Sequence, residues 1–357
     1  MEELEHTLAP GFSDSTRRAR TQSASMSSPR NDASLGGVLI PNPADPMGSI
    51  PDLPPIGHTM KEALALIDQL GPTAAPRYTY NKLRHLLSKL MGTKVLSFRE
   101  QPALQLVRGR EVATQMPGKY EMPLSGELIT SIQELGPRDP KDVNSYGRCH
   151  LPGAPVFYAA FNDETVLAEL RPESGSFVYF LYCEPLPGTS FQSVTVGDFD
   201  HVRRYGRSLV HPPESPALAT LEGWLKEVRT EDAYVRLVVD AFLASLINRP
   251  CSGPHEYKAT AALCGVLMDL DIDMPGSAEA LYYPSVAFPG GVNIAITRKG
   301  YAEKLRPVGC KLVQVLNNFG FGVYQTRVVA VSMNIGPDGK FTWTGIPPAP
   351  KQLHIKV

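Results

Sequence analysis

Apolar residues recur along this chain at two different spacings, and the change between them divides it. After Thr59, the residues Met60, Ala63, Leu64, Ile67 and Leu70 fall three and four apart, the repeat of one helical face. Thr59 and Glu62 form a capping box at the start of that run, and Gly71-Pro72 ends it. Leu83, Leu86, Leu87 and Leu90 predict a second helix over about 78–91. Two helices this short bury no core of their own, so they are expected to pack on the rest of the chain or on a partner. Beyond them the period shortens. Ala103–Val112 and Ser176–Pro185 read as strands, the second rich in aromatic and β-branched residues. Pro155–Ala160 is a short apolar run after a turn and suits a buried strand, and Asn162 or Asp163 then caps a helix that holds Glu169 near its end. Residues 113–146 read as a long connection with one helical patch near 125–135, and residues 198–215 as a basic loop carrying Arg203, Arg204 and Arg207. Helices are expected from about 215 to 270, the last opened by Pro254. Val292–Ile296 is a further strand, and Lys311 to Trp343 is expected to add two or three antiparallel strands, with a hairpin turn at Pro337-Asp338-Gly339.

Ahead of all this, residues 1–57 are rich in serine, arginine and proline and poor in large apolar residues, so they are read as a disordered tail. It is either a solvated extension or a non-cleaved export signal. The opening MEELEH has no apolar stretch of a secretory leader, and no run of about 18 apolar residues spans a bilayer. A cytoplasmic protein is expected, with an exported effector lacking a cleavable signal as the alternative. In 357 residues, 43% are hydrophobic and 20% charged, which fits a globular chain. The formal charge of -1 gives no argument for nucleic-acid or membrane binding. Five cysteines with no CxxC pair argue against a disulfide framework or a zinc site. Phosphate-loop, dinucleotide-loop, nucleophile-elbow and HExxH motifs are missing, and no metal site is expected.

The chemistry concentrates between Gly147 and Arg171. Arg148, Tyr158 and Glu169 follow one another at spacings of ten and eleven residues, each a loop plus a short element. A guanidinium matches phosphate oxygens two at a time, a tyrosine ring offers a stacking face, and a carboxylate stabilises the cation that builds on a sugar as its glycosidic bond breaks. The residue types alone leave other readings open. Glu169 is equally a structural partner of Arg171, Ser285 a turn hydroxyl bonding its own backbone, and Cys149 a small loop residue rather than a reactive thiol. His150 is the one histidine beside the trio.

The pattern GRxxxxGxPVxY followed by ETxLAEL, with Tyr283-Pro284-Ser285, Gly290-Gly291 and Asn293 downstream, resembles the RES-domain family. The likeness covers roughly residues 100–300. It implies an α+β fold with an ADP-ribosyltransferase-like split mixed sheet and flanking helices, following the disordered N-terminal tail. The helices over 58–98 are read as an extension, a departure from the compact toxins of that family, and the RES-like catalytic domain as 99–357 with its core at 145–298. By the same likeness the protein is an NAD-consuming, toxin-like enzyme, with NAD+ as substrate and no metal. Arg148, Tyr158, Glu169 and Ser285 are then catalytic, and Arg108, Tyr283 and Asn293 contact the dinucleotide. Arg108 enters because Leu-Val-Arg-Gly is similar to the first strand of ADP-ribosyltransferases; an ion pair at a strand end is its alternative. The acceptor stays open between water, phosphate and a protein side chain, that is, between a glycohydrolase, a phosphorylase and a mono-ADP-ribosyltransferase effector. A catalytically silent partner-binding module is the remaining alternative. The family implies a neutralising antitoxin or immunity protein as partner, which no residue here identifies.

Overall fold

Strands β1 (Arg99–Pro102), β2 (Leu106–Glu111), β3 (Val156–Ala160), β4 (Phe177–Pro185), β5 (Ser190–Thr195), β6 (Ala280–Pro284), β7 (Val292–Thr297), β8 (Leu305–Asn318) and β9 (Tyr324–Ser332) form one sheet. Their order is β1-β5-β6-β7-β3-β2-β4-β8-β9. Only β5 and β6 run parallel; the other neighbours are antiparallel, so the sheet is mixed. The computed structural model describes residues 57–72, 74–92, 99–102, 105–112, 128–227, 230–251, 253, 255–268 and 278–345. Apart from Gly57, the segment read as a disordered tail lies outside the described residues, as does Pro254.

The sheet is nearly cut in two. β2 follows β4 over six consecutive residue pairs but meets β3 at the single pair Val107–Ala160. One half is therefore β1-β5-β6-β7-β3 and the other β2-β4-β8-β9, an α+β architecture with a split mixed sheet.

Ten helices are described: α1 (Met60–Gln69), α2 (Ala74–Arg77), α3 (Tyr80–Met91), α4 (Ile132–Leu135), α5 (Asp163–Leu170), α6 (Asp198–Tyr205), α7 (Pro216–Glu227), α8 (Glu231–Ile247), α9 (Tyr257–Met268) and α10 (Arg298–Lys304). The Thr59–Glu62 capping box is formed at the start of α1. Leu83, Leu86, Leu87 and Leu90 of α3 are buried with Leu263, Cys264 and Leu267 of α9, and this cluster continues to Val156, Leu281, Tyr283 and Ala295 on one face of the sheet. The N-terminal helices thus share a core with the sheet. Burying one leucine contributes about 1.5–3 kcal/mol, so the row on α3 is a large part of the stability. Phe157, Tyr179, Phe191, Tyr282 and Ile294 fill the opposite face.

Helix α5 packs across β2, with Val166 and Leu167 against Val107, Val178 and Phe180. Gly109 makes this approach close, because a Cβ there would lie 2.2 Å from Val166 and 2.7 Å from Leu170.

The elements depart from expectation at the polar ends. Arg99–Pro102 and Ser190–Thr195 pair as strands without an apolar run to announce the first of them. The basic stretch 198–215 opens as helix α6, with acids Asp198 and Asp200 early, Arg203 and Arg204 late, and Gly206 in the left-handed conformation closing it. Asp240, buried in α8, holds that helix by accepting the Gly197 and Asp200 N–H groups at 2.9 and 3.0 Å. Burial raises the Asp240 carboxyl to about 7. The sheet gains β8 and β9 from the C-terminal run; the turn at Pro337–Gly339 joins only single bridges, Ile335–Phe341 among them.

Candidate active site

Glu169 lies in the last turn of α5, which begins with Asn162 capping the Thr165 N–H at 2.8 Å and ends at Arg171 in the left-handed conformation (φ 51°). Its Oε1 accepts two hydrogen bonds of 2.6 Å, one from the Ser285 hydroxyl and one from the Asn293 side-chain amide. Both donors come from the other half of the sheet, at the end of β6 and the start of β7. The turn between them is folded on itself: Ser285 N–H donates to the Gly291 carbonyl at 2.8 Å, and Phe288 N–H to Ser285 Oγ at 3.0 Å. Carboxylate hydrogen bonds of this length are charge-assisted and aim the group. Oε2 has no bond recorded among the described residues, so one oxygen is held and the other is left to act. No ion pair with Arg171 is recorded among them either.

Tyr158 stands on the same sheet face. It pairs with Ala295 on β7, two residues from Asn293, and side chains two apart on a strand share a face. Its phenol oxygen accepts the Cys149 N–H at 2.7 Å and lies 3.0 Å from His150 Nδ1. Burial raises its pKa well above the usual tyrosine range. The arginine loop is therefore tied to the strand by the tyrosine hydroxyl. Cys149 is fully buried, and what the cleft uses is its backbone N–H.

Arg148 Nη1 donates to the Ile247 and Arg249 carbonyls, the latter at 3.3 Å, at the C-terminal end of α8, and the guanidinium lies 5.7 Å from the Tyr257 ring centre. Cations are favoured at a helix C-terminus. All its recorded bonds run through Nη1, which leaves the Nε–Nη2 edge of the fork. Tyr283, buried on β6, lies in one cluster with Cys149 and Ala295, with Tyr158 packed against it, and burial raises its phenol well above the usual range. Arg148, Tyr158, Glu169, Tyr283, Ser285 and Asn293 thus gather on one face beside the split.

Arg108 does not join them. Val107 shares a face with Ala160, so Arg108 points through the opposite one, where its guanidinium lies 5.2 Å from the Phe157 ring centre. There its Nη1 donates to the Tyr158 carbonyl at 3.4 Å, on the edge of β3 that β2 leaves. Burial lowers its pKa to about 10. Its placement makes it a brace for the split, on the sheet face opposite Glu169.

Two contributors carried weaker sequence signals. Asn293 donates directly to Glu169, a partnership its place in the sequence does not announce. His150 owes its place to Gly147: a Cβ at 147 would lie 2.0 Å from the imidazole. Gly147→Ala is expected to evict the ring and break its contact with Tyr158. Burial now holds the His150 pKa below 6.5, with Arg138 adding to the effect, so the variant's His150 should titrate at higher pH by NMR. An unchanged titration curve would contradict this packing.

Among the described residues no His/Cys/Asp/Glu group is arranged to hold a metal, no helix is long and apolar enough to cross a membrane, and all five cysteines are unpaired thiols. No curated protein and no solved structure matches the chain. Residues 130–311, just over half of the chain, match the family model for the RES domain. The arginine loop, the Tyr158 strand, the Glu169 helix and the Ser285–Asn293 turn all fall inside that span, and the chain belongs to the RES-domain family.

Proposed function

We propose that this protein consumes NAD+ by breaking the bond between nicotinamide and ribose. RES domains are associated with NAD-consuming, toxin-like enzymes. The observation that carries the reading is Glu169, with one carboxylate oxygen fixed by Ser285 and Asn293 and the other without a recorded partner. In the reaction the C1′–N bond breaks and its electron pair leaves with neutral nicotinamide, which makes the ribose oxocarbenium-like. A preorganised carboxylate stabilises that charge without reorganising. The free edge of Arg148 holds the diphosphate in a planar fork. Tyr158 and Tyr283 wall the ribose and nicotinamide end and exclude water from the charge. Ser285 and Asn293 act on the carboxylate as positioning residues.

An oxygen acceptor then forms the new C1′–O bond and loses its proton. Water gives ADP-ribose and phosphate gives ADP-ribose 1″-phosphate. The experiment is mass spectrometry of products from NAD+ in phosphate-free and phosphate buffers. Nicotinamide is expected in at least one buffer, with the partner product naming the acceptor. Intact NAD+ in both, from folded protein, overturns the reading.

A further inference from the structure

Arg207 lies against the turn that holds Ser285. An ideal Cβ on Gly290 would sit 2.1 Å from Arg207 Nη2 and 3.1 Å from its Cζ, so the guanidinium rests on the bare glycine backbone. Gly290 has φ +86°, and both it and Arg207 are exposed, in the same turn whose Ser285 bonds Glu169.

The backbone around Arg207 is clamped. Before it, Gly206 N–H donates to the Val202 carbonyl at 2.8 Å in the left-handed cap of α6. At Arg207 itself, His201 Nδ1 lies 2.7 Å from the carbonyl oxygen and donates to it. After it, the Ser208 hydroxyl donates to Asp198 at 2.8 Å and the Leu209 N–H at 2.7 Å. Asp240 fixes the far end of α6. The neighbouring cations are spent on the helix, since Arg203 and Arg204 both pair with Asp200 at 2.7 Å. Arg207 has no ion pair recorded among the described residues, and its side chain is exposed. A guanidinium with a fixed backbone, laid on a glycine turn and left without an acid, is arranged to receive an oxyanion.

We infer that Arg207 is a second phosphate contact of this site, at the lip of the Glu169 cleft, the position that sequence likeness alone gives to Arg108. The inference takes its ligand from the NAD+ reading above. The shared chemistry is a phosphate group, supplied either by the diphosphate of the dinucleotide or by inorganic phosphate as acceptor.

The test compares the parent protein with Arg207→Ala, Arg207→Lys and, as a control, Arg203→Ala. Pyrophosphate and ADP-ribose binding are measured by calorimetry. The KM for NAD+ is measured without phosphate, followed by a phosphate titration of the rate. Losing one charge-assisted contact is expected to weaken binding roughly 10- to 100-fold. If Arg207 holds the diphosphate, Arg207→Ala raises the KM for NAD+ and weakens ADP-ribose by that factor, with kcat retained. If it holds the acceptor, the phosphate dependence is lost while the phosphate-free reaction is unchanged. Lysine restores part of either effect, and Arg203→Ala shows neither. Equal affinities, KM and phosphate dependence in the parent and Arg207→Ala overturn the inference and leave Arg207 as packing on the turn. Pyrophosphate binding that depends on Arg207, in a parent protein that never releases nicotinamide, keeps the anion site and rejects the NAD+ reading instead.

Discussion

Glu169→Gln is expected to lower nicotinamide release from NAD+ by about 100- to 1,000-fold, the usual loss when one preorganised electrostatic contact is removed from a transition state. The change isolates charge. A glutamine keeps a carbonyl oxygen where Oε1 accepts from Ser285 and Asn293, so the turn and the last turn of α5 keep their hydrogen bonds. What disappears is the negative charge that the proposed reaction uses. Ser285→Ala and Asn293→Ala each remove one 2.6 Å bond and leave the charge, so each should cost less than the glutamine change. Initial rates at saturating NAD+, beside thermal unfolding of each variant, check the order. A Glu169→Gln protein that turns over NAD+ at the parent rate removes Glu169 from the chemistry.

A fragment cut to the family match, residues 130–311, is expected not to fold, although it holds every residue of the proposed cleft. β2 lies outside that span yet runs through the middle of the sheet, with Leu106 and Val107 buried. Without it, β4 loses the partner of six residues and α5 loses the strand beneath it. β9, the partner of β8 on its outer side, is lost as well. Helix α3 takes four buried leucines away from α9. At about 2 kcal/mol each, those four leucines contribute as much as the 5–15 kcal/mol by which a domain is normally stable. Circular dichroism and chemical denaturation should show no cooperative transition for 130–311, in contrast to a fragment that includes residues 57–345. A cooperative transition in the short fragment would mean that the N-terminal helices and β2 are accessories.

Much of the local structure is legible in the chain because it rests on short-range chemistry. Thr59 and Glu62 sit three apart and form their reciprocal cap. Asn162 caps α5 as its position before Asp163 predicts, and Val156–Ala160 is a strand. Arg99–Pro102 was not legible, since a polar segment ending in proline becomes a strand only where another edge receives it, here β5. Helix α6 hid behind its charges, although Asp198, Asp200, Arg203, Arg204 and Gly206 are ordered as a helix dipole and a left-handed cap require. Arg108 shows a different limit. A likeness reports which residue is present, but the face it takes depends on register, and the pair Val107–Ala160 settles that only once β2 and β3 are brought together. The partnership of Glu169 with Ser285 and Asn293 spans 116 and 124 residues, beyond any spacing rule.

The single rung at Val107–Ala160 gives the Glu169 contacts a mechanical meaning as well. Helix α5 is seated on the β2 side, while Ser285 and Asn293 belong to the β6–β7 side, so their bonds to Glu169 stitch together a seam that the backbone ladder barely closes. The acid is a fastener, and its aim and the closure of the seam rest on the same two bonds, so Glu169→Ala would unpick that stitch as well as remove the carboxylate.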